Sequence, residues 1–134
     1  GAKNPSLGSG SGIYVSREQA DSRRVVNRNA VLDVLHAYGV QKYVLEELTF
    51  DEQVRLFQNA EWIIGPTGAG LINMIYATSA RVVTLFGSVV NACYPMLADG
   101  LGFPNGILQC EKRGLDLWVD PDELTEVMER INPP

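Results

Sequence analysis

The chain has 134 residues, 46% of them hydrophobic and 20% charged, with a net charge of −5 and one histidine. These values fit one globular domain with a single core. They argue against a nucleic-acid backbone as partner, and no apolar run approaches the roughly 20 residues that cross a bilayer.

Residues 1–12 hold Gly, Ser, Asn and Pro and read as a flexible linker or cloning remnant. The ordered domain is expected over 13–134, following a domain upstream. A short apolar strand is predicted at 13–15. Val31, Leu32, Leu35 and Tyr38 then recur at helical spacing, with Asn27 or Asn29 as cap and Gly39 as stop. A second strand is expected at 42–45. Thr49 and Glu52 match a capping box, which opens a helix with Val54, Phe57 and Ala60 on one face.

Trp62, Ile63 and Ile64 read as a third strand, 65–70 as a Gly-rich turn, 71–77 as a helix and 81–86 as a fourth strand. A short helix interrupted at Pro95 is expected within 92–101, and a fifth strand at 106–110. Asp120 caps a last helix running through Ile131, with Pro121 at its first position. Strands alternating with helices predict an α/β fold, a Rossmann-like three-layer sandwich with a mostly parallel sheet of about five strands.

Ligands of such sheets bind beyond the carboxyl ends of the strands, so the residues after each strand matter most. Arg17 follows the first strand, and its planar fork suits phosphate. Arg23 and Arg24 precede a helix start, where positive charge wants a compensating anion or acid. Arg24 is read first as a surface or salt-bridge residue, and it is carried as well among the ligand candidates. Gly65-Pro66-Thr67-Gly68-Ala69-Gly70 follows the third strand. Glycine lets a ligand approach the backbone, and the helix start beyond presents free N–H groups. Alone, such a turn reads first as close packing of helix on strand, and only second as a ligand site.

His36 sits inside the first helix, and one histidine cannot build a Ser-His-Asp site with its neighbours here. No metal-ligand spacing is present. Cys93 and Cys110 lack CxxC spacing, and the sequence leaves a disulfide between them open.

Five blocks carry a resemblance in their order and spacing: Ser16-Arg17; Arg23-Arg24-Val25-Val26-Asn27; Glu47 to Gln53; Ala60 to Gly65; and Gly68-Ala69-Gly70-Leu71-Ile72-Asn73-Met74. Together they resemble the glycosyltransferase family 61 domain, over residues 13–131. That family includes bacterial capsular-polysaccharide biosynthesis proteins and eukaryotic O-linked N-acetylglucosaminyl- and xylosyltransferases. Residues 116–124 are more similar to the bacterial members.

The resemblance implies the C-terminal half of a GT-B glycosyltransferase, binding a UDP-sugar donor for transfer to a glycan or polysaccharide acceptor, with no tightly bound cofactor. A non-catalytic nucleotide-binding or interaction module is the alternative. By position, Arg17 would neutralise the diphosphate, and Gly68, Ala69 and Gly70 would hold phosphate or ribose. Glu47 and Thr49 would lie beside the base, and Asn73 would brace the turn or touch the ligand. The sequence departs from the family at Thr67, where His is usual, and at Arg28, where an acid is usual. Thr67 offers a hydrogen bond but carries no proton as imidazole does. No catalytic residue is assigned, and the isolated domain is expected to be inactive. The location implied is cytoplasmic for a bacterial-type member, and the endoplasmic reticulum or Golgi lumen for a eukaryotic one.

Overall fold

The structure, a computed structural model, describes residues 12–87 and 93–132. Five parallel strands form the sheet: β1 (Gly12–Val15), β2 (Val40–Tyr43), β3 (Trp62–Pro66), β4 (Arg81–Phe86) and β5 (Asn105–Gln109), in the order β2-β1-β3-β4-β5. Among the described residues four α-helices flank it: α1 (Arg28–His36), α2 (Phe50–Gln58), α3 (Cys93–Gly100) and α4 (Pro121–Ile131). This is the expected Rossmann-like sandwich. The expected linker falls outside the described residues except for Gly12, which opens β1 and pairs with Val40 and Trp62.

Strand alternation sorts the core onto two faces. Tyr14, Trp62, Ile64, Val83 and Leu85 face Val31 and Leu35 of α1 and Leu124, Val127 and Met128 of α4. Ile13, Val15, Ile63 and Val82 face Phe57 of α2, Ala98 of α3, and Leu71 and Met74 from the segment between β3 and β4. Each large aliphatic side chain buried this way contributes roughly 1.5–3 kcal/mol.

The local caps form as the residue types dictate. The Thr49 hydroxyl accepts from the Glu52 N–H, and the Glu52 carboxylate accepts from the Thr49 N–H. Asp120 accepts from Asp122 and Glu123 at the start of α4. Gly39 ends the turn after α1 at φ 75°.

Five expectations need correction. α3 runs unbroken from Cys93 to Gly100, with Pro95 in its first turn, where a proline has no ladder bond to remove. Asn27 stands at the cap position of α1, but its side chain makes no capping bond and reaches Val119 instead. The second strand begins at Val40, directly after Gly39, and Leu45–Glu47 is a 3-10 turn. Its signal was weak because Gln41 and Lys42 lie exposed on an edge strand. The helix after the Gly-rich turn is a 3-10 helix over Ala69–Tyr76. Leu71 and Met74 are buried there, while Ile72 and Ile75 are exposed. That period of three suits a three-residue turn better than 3.6. Finally, two unpredicted strands, β6 (Glu111–Arg113) and β7 (Asp116–Trp118), form an antiparallel hairpin. β6 is wholly charged and exposed, and β7, with Leu117 buried between half-buried Asp116 and Trp118, is too short to show a strand period. Among the described residues, no helix is long and apolar enough to cross a membrane.

Candidate functional site

The chain leaves β1 for α1 on one face and enters β3 from α2 on the other, so the strand order reverses between β1 and β3. The crevice at that reversal, beyond the carboxyl ends, is where open α/β sheets take ligands. Ser16 and Arg17 follow β1 there, and Thr67 and Gly68 follow β3.

Arg17 is half-buried, and its Nε donates to the Ser22 carbonyl at 3.1 Å. A Cβ built on Gly68 would stand 2.5 Å from Arg17 Nη1, so the guanidinium lies against the bare glycine backbone. Gly68 has φ 168°, an extended conformation open to any residue. Its lack of a side chain matters for space. Among the described residues Arg17 makes no ion pair. Burial, and then the neighbouring charge of Arg23, hold its pKa below the ordinary value. The Glu46 carboxylate acts in the opposite sense without forming an ion pair to it, and the guanidinium remains positive at neutral pH.

The other side of the crevice is backbone. Leu71 N–H donates to the Gly68 carbonyl, so the N–H groups of Ala69 and Gly70 precede the hydrogen-bonded ladder of the 3-10 helix. A Cβ on Gly70 would meet Leu45 and Val15 side chains at 3.1 Å, so Gly70 serves close packing. Thr67 is buried, and its N–H extends the β3–β4 ladder to Leu85.

The remaining candidates are bound into neighbouring structure. Asn73 donates to Gln53 at 2.8 Å, and Gln53 donates to the Leu45 carbonyl at 2.9 Å. This bracket ties the 3-10 helix to α2 and the corner after β2. Thr49 is the α2 cap in that corner. Glu47 is exposed and accepts from Gln19, which lies in the loop after β1. Arg24 is gripped by Asp116, with Nε to Oδ1 at 3.2 Å and Nη2 to Oδ2 at 3.1 Å. The acid that a cation near a helix start calls for is therefore Asp116, 92 positions away. Arg28, where the family usually has an acid, pairs with Glu18 at 3.0 Å, and Lys42 joins the same carboxylate at 2.9 Å.

Gln53 stood in a quoted motif without a role, and Asp116 had no local signal. A cavity of about 560 Å³ opens on the same rim beyond β5, lined by Cys110, Lys112, Trp118 and Glu123 among others. Among the described residues, no group of three or more His, Cys, Asp or Glu side chains is arranged to hold a metal. His36 is exposed at the end of α1, and no disulfide joins Cys93 and Cys110.

The domain is thus a parallel α/β sandwich in which an arginine, without an ion pair among the described residues, rests against a glycine turn at the sheet's reversal point, where folds of this class take ligands. Residues 3–84 match the family described as Glycosyltransferase 61, more than half of the chain, and the protein belongs to that family. The chain is 29% identical over 92 residues to the EGF domain-specific O-linked N-acetylglucosamine transferase of Gallus gallus, covering 64% of this chain. It is 33% identical over 89 residues to the protein of the same name from Drosophila melanogaster, covering 63%. In both cases the match spans only 17% of the relative's length.

Proposed function

We propose that this chain is the donor-binding part of a glycosyltransferase, taking a nucleotide-sugar, and a UDP-sugar in particular, in the crevice between β1 and β3. The observation that carries the reading is the Arg17 guanidinium, unpaired among the described residues and resting on Gly68 beside the Ala69 and Gly70 amides. A diphosphate brings the charge these groups lack. The acceptor hydroxyl attacks the anomeric carbon, the bond from that carbon to the diphosphate oxygen breaks, and the nucleoside diphosphate leaves. Arg17 and the helix start stabilise charge on the leaving group. The hydroxyl proton goes to a base on an upstream domain of the same protein, which makes this chain the C-terminal half of a GT-B enzyme. Gln53, Asn73, Thr49 and Glu47 shape the wall on the β2 side, where the base would rest.

The acceptor class follows the relatives. The two named above are animal proteins whose names give O-linked N-acetylglucosamine transfer to EGF domains. A protein or glycan acceptor in the endoplasmic reticulum or Golgi lumen is the reading that fits them. The bacterial, capsular-polysaccharide reading with a cytoplasmic location rests on residues 116–124, which lie beyond the family match.

A second reading is a binding module without catalysis. Thr67 favours it, because no imidazole stands at the turn. UDP titration followed by the amide signals of Arg17 and Gly68 tests binding, and no shift at millimolar nucleotide rejects the donor-binding reading and leaves only a module that binds something other than nucleotide. Sugar transfer assayed in the longer protein, with and without Thr67→His, separates the two readings.

A further inference from the structure

The loop between β1 and α1 is zipped along β7. Arg23 N–H donates to the Leu115 carbonyl at 2.7 Å, Leu117 N–H to the Arg24 carbonyl at 2.9 Å, and Val26 N–H to the Leu117 carbonyl at 2.9 Å. Val25 and Leu117 form a parallel bridge. Asp116 closes this zipper, accepting from the Arg24 backbone N–H at 3.1 Å as well as from two guanidinium nitrogens. Its side chain is 17% exposed against 47% for Arg24, so the carboxylate is the more enclosed partner.

One peptide unit links this zipper to the candidate site. The carbonyl of Ser22 and the N–H of Arg23 belong to the same rigid plane. The carbonyl accepts from Arg17 Nε, and the N–H donates to Leu115. Arg23 holds φ 58°, a left-handed conformation uncommon outside glycine. Such a residue persists only when its surroundings fix it, and here the bonds on both sides of it do so. The hairpin lies wholly outside the family match, which ends at residue 84.

From this geometry we infer that Asp116 is a positioning residue for the anion site: by clamping Arg24 it fixes the Ser22–Arg23 peptide, and that peptide aims the Arg17 guanidinium over Gly68. The inference rests on the nucleotide reading above only for its ligand. Asp116 touches no ligand in it. The hairpin is the part that sets the reach of a guanidinium on the far side of the loop.

The test uses the 134-residue chain, with UDP as probe, and compares wild type with Asp116→Ala, Asp116→Asn, Arg17→Ala and Asp120→Ala. Asp120→Ala loses the α4 cap bonds to Asp122 and Glu123 and controls for general destabilisation. We expect Asp116→Ala to weaken UDP about fivefold or more, in the range of residues that act through an intermediate, and Asp116→Asn to fall between it and wild type. Asp120→Ala should bind as wild type. In the ligand-free protein, the Arg17 Nε–H resonance should be sharp and slow to exchange in wild type, and broadened in Asp116→Ala. If Arg17→Ala abolishes binding while Asp116→Ala binds like wild type, the inference is overturned. If wild type binds no UDP, the nucleotide reading falls, and the Nε–H signal decides alone: unchanged in both Asp116 variants, it overturns the inference.

Discussion

Asn27 and Val119 exchange two hydrogen bonds, the amide Nδ2 donating to the Val119 carbonyl at 2.6 Å and Oδ1 accepting from the Val119 N–H at 3.0 Å. An amide side chain thus stands in for a strand where the β7 bridge ends. Val119 is fully buried, so neither of its backbone groups has water to fall back on. Asn27→Ala should destabilise the domain by about 1–3 kcal/mol, the cost of leaving buried backbone groups unpaired. Asn27→Asp keeps the acceptor but sets a charged oxygen against the Val119 carbonyl in place of the donor, and should cost at least as much as Asn27→Ala. Urea midpoints at constant slope give both values.

Gly68 separates a binding role from a packing role. A methyl group there displaces the tip of a flexible arginine, and φ 168° imposes no backbone strain. Gly68→Ala should therefore change stability by less than about 1 kcal/mol. The guanidinium leaves its place, so UDP affinity should fall by about tenfold, comparable to one lost charge-assisted hydrogen bond. Thermal unfolding and a UDP titration read the two effects separately. A stability loss with unchanged affinity returns the turn to pure packing.

These relationships differ in how far the amino-acid sequence discloses them. The Arg81–Phe86 strand, the Thr49–Glu52 box and the Asp120 cap appear at the residues expected, because each depends on neighbours within a few positions. The meeting of Arg17 with Gly68 was also legible, since parallel strands bring their carboxyl ends to one rim whatever the sheet order. Arg24 with Asp116 and Asn27 with Val119 are pairs 92 positions apart, and no local pattern encodes them. The hairpin that makes them possible has three-residue strands, one of them wholly charged. The 3-10 helix was visible in principle as apolar residues spaced by three.

The two thiols should behave oppositely. Cys93 is exposed, whereas Cys110 is buried at the end of β5. Burial first, and then the Glu123 charge, push the Cys110 pKa up to about 12. The thiolate is the reactive form, so Cys110 is nearly inert at pH 8. A thiol reagent should modify one cysteine per chain within minutes in the native state and two in denaturant. Peptide mapping should place the native label on Cys93. Rapid native labelling of Cys110 would mean that the β5 end opens more than its packing implies.

Acid should loosen the loop that carries Arg17 before it unfolds the sheet. The Arg24 side-chain and backbone bonds hold the Asp116 carboxyl below its ordinary range, and Lys42, Ser16 and Arg28 do the same for Glu18. A carboxyl whose folded pKa is depressed stabilises the native state above its unfolded pKa, and that contribution disappears as pH falls through the folded value. Stability should thus be insensitive to these two groups from pH 7 to about 5 and should decline below about pH 4, the range where carboxyls take up protons. Both groups anchor the segment between β1 and α1, Glu18 through Arg28 and Lys42, and Asp116 through Arg24. Amide exchange at pH 3.5 should therefore rise first in residues 18–26, while the β3 and β4 amides stay protected. In Asp116→Asn the acid-dependent part of the decline should shrink, because the group that takes up the proton is gone. An identical pH profile in that variant would show that the clamp is too solvated to couple to folding.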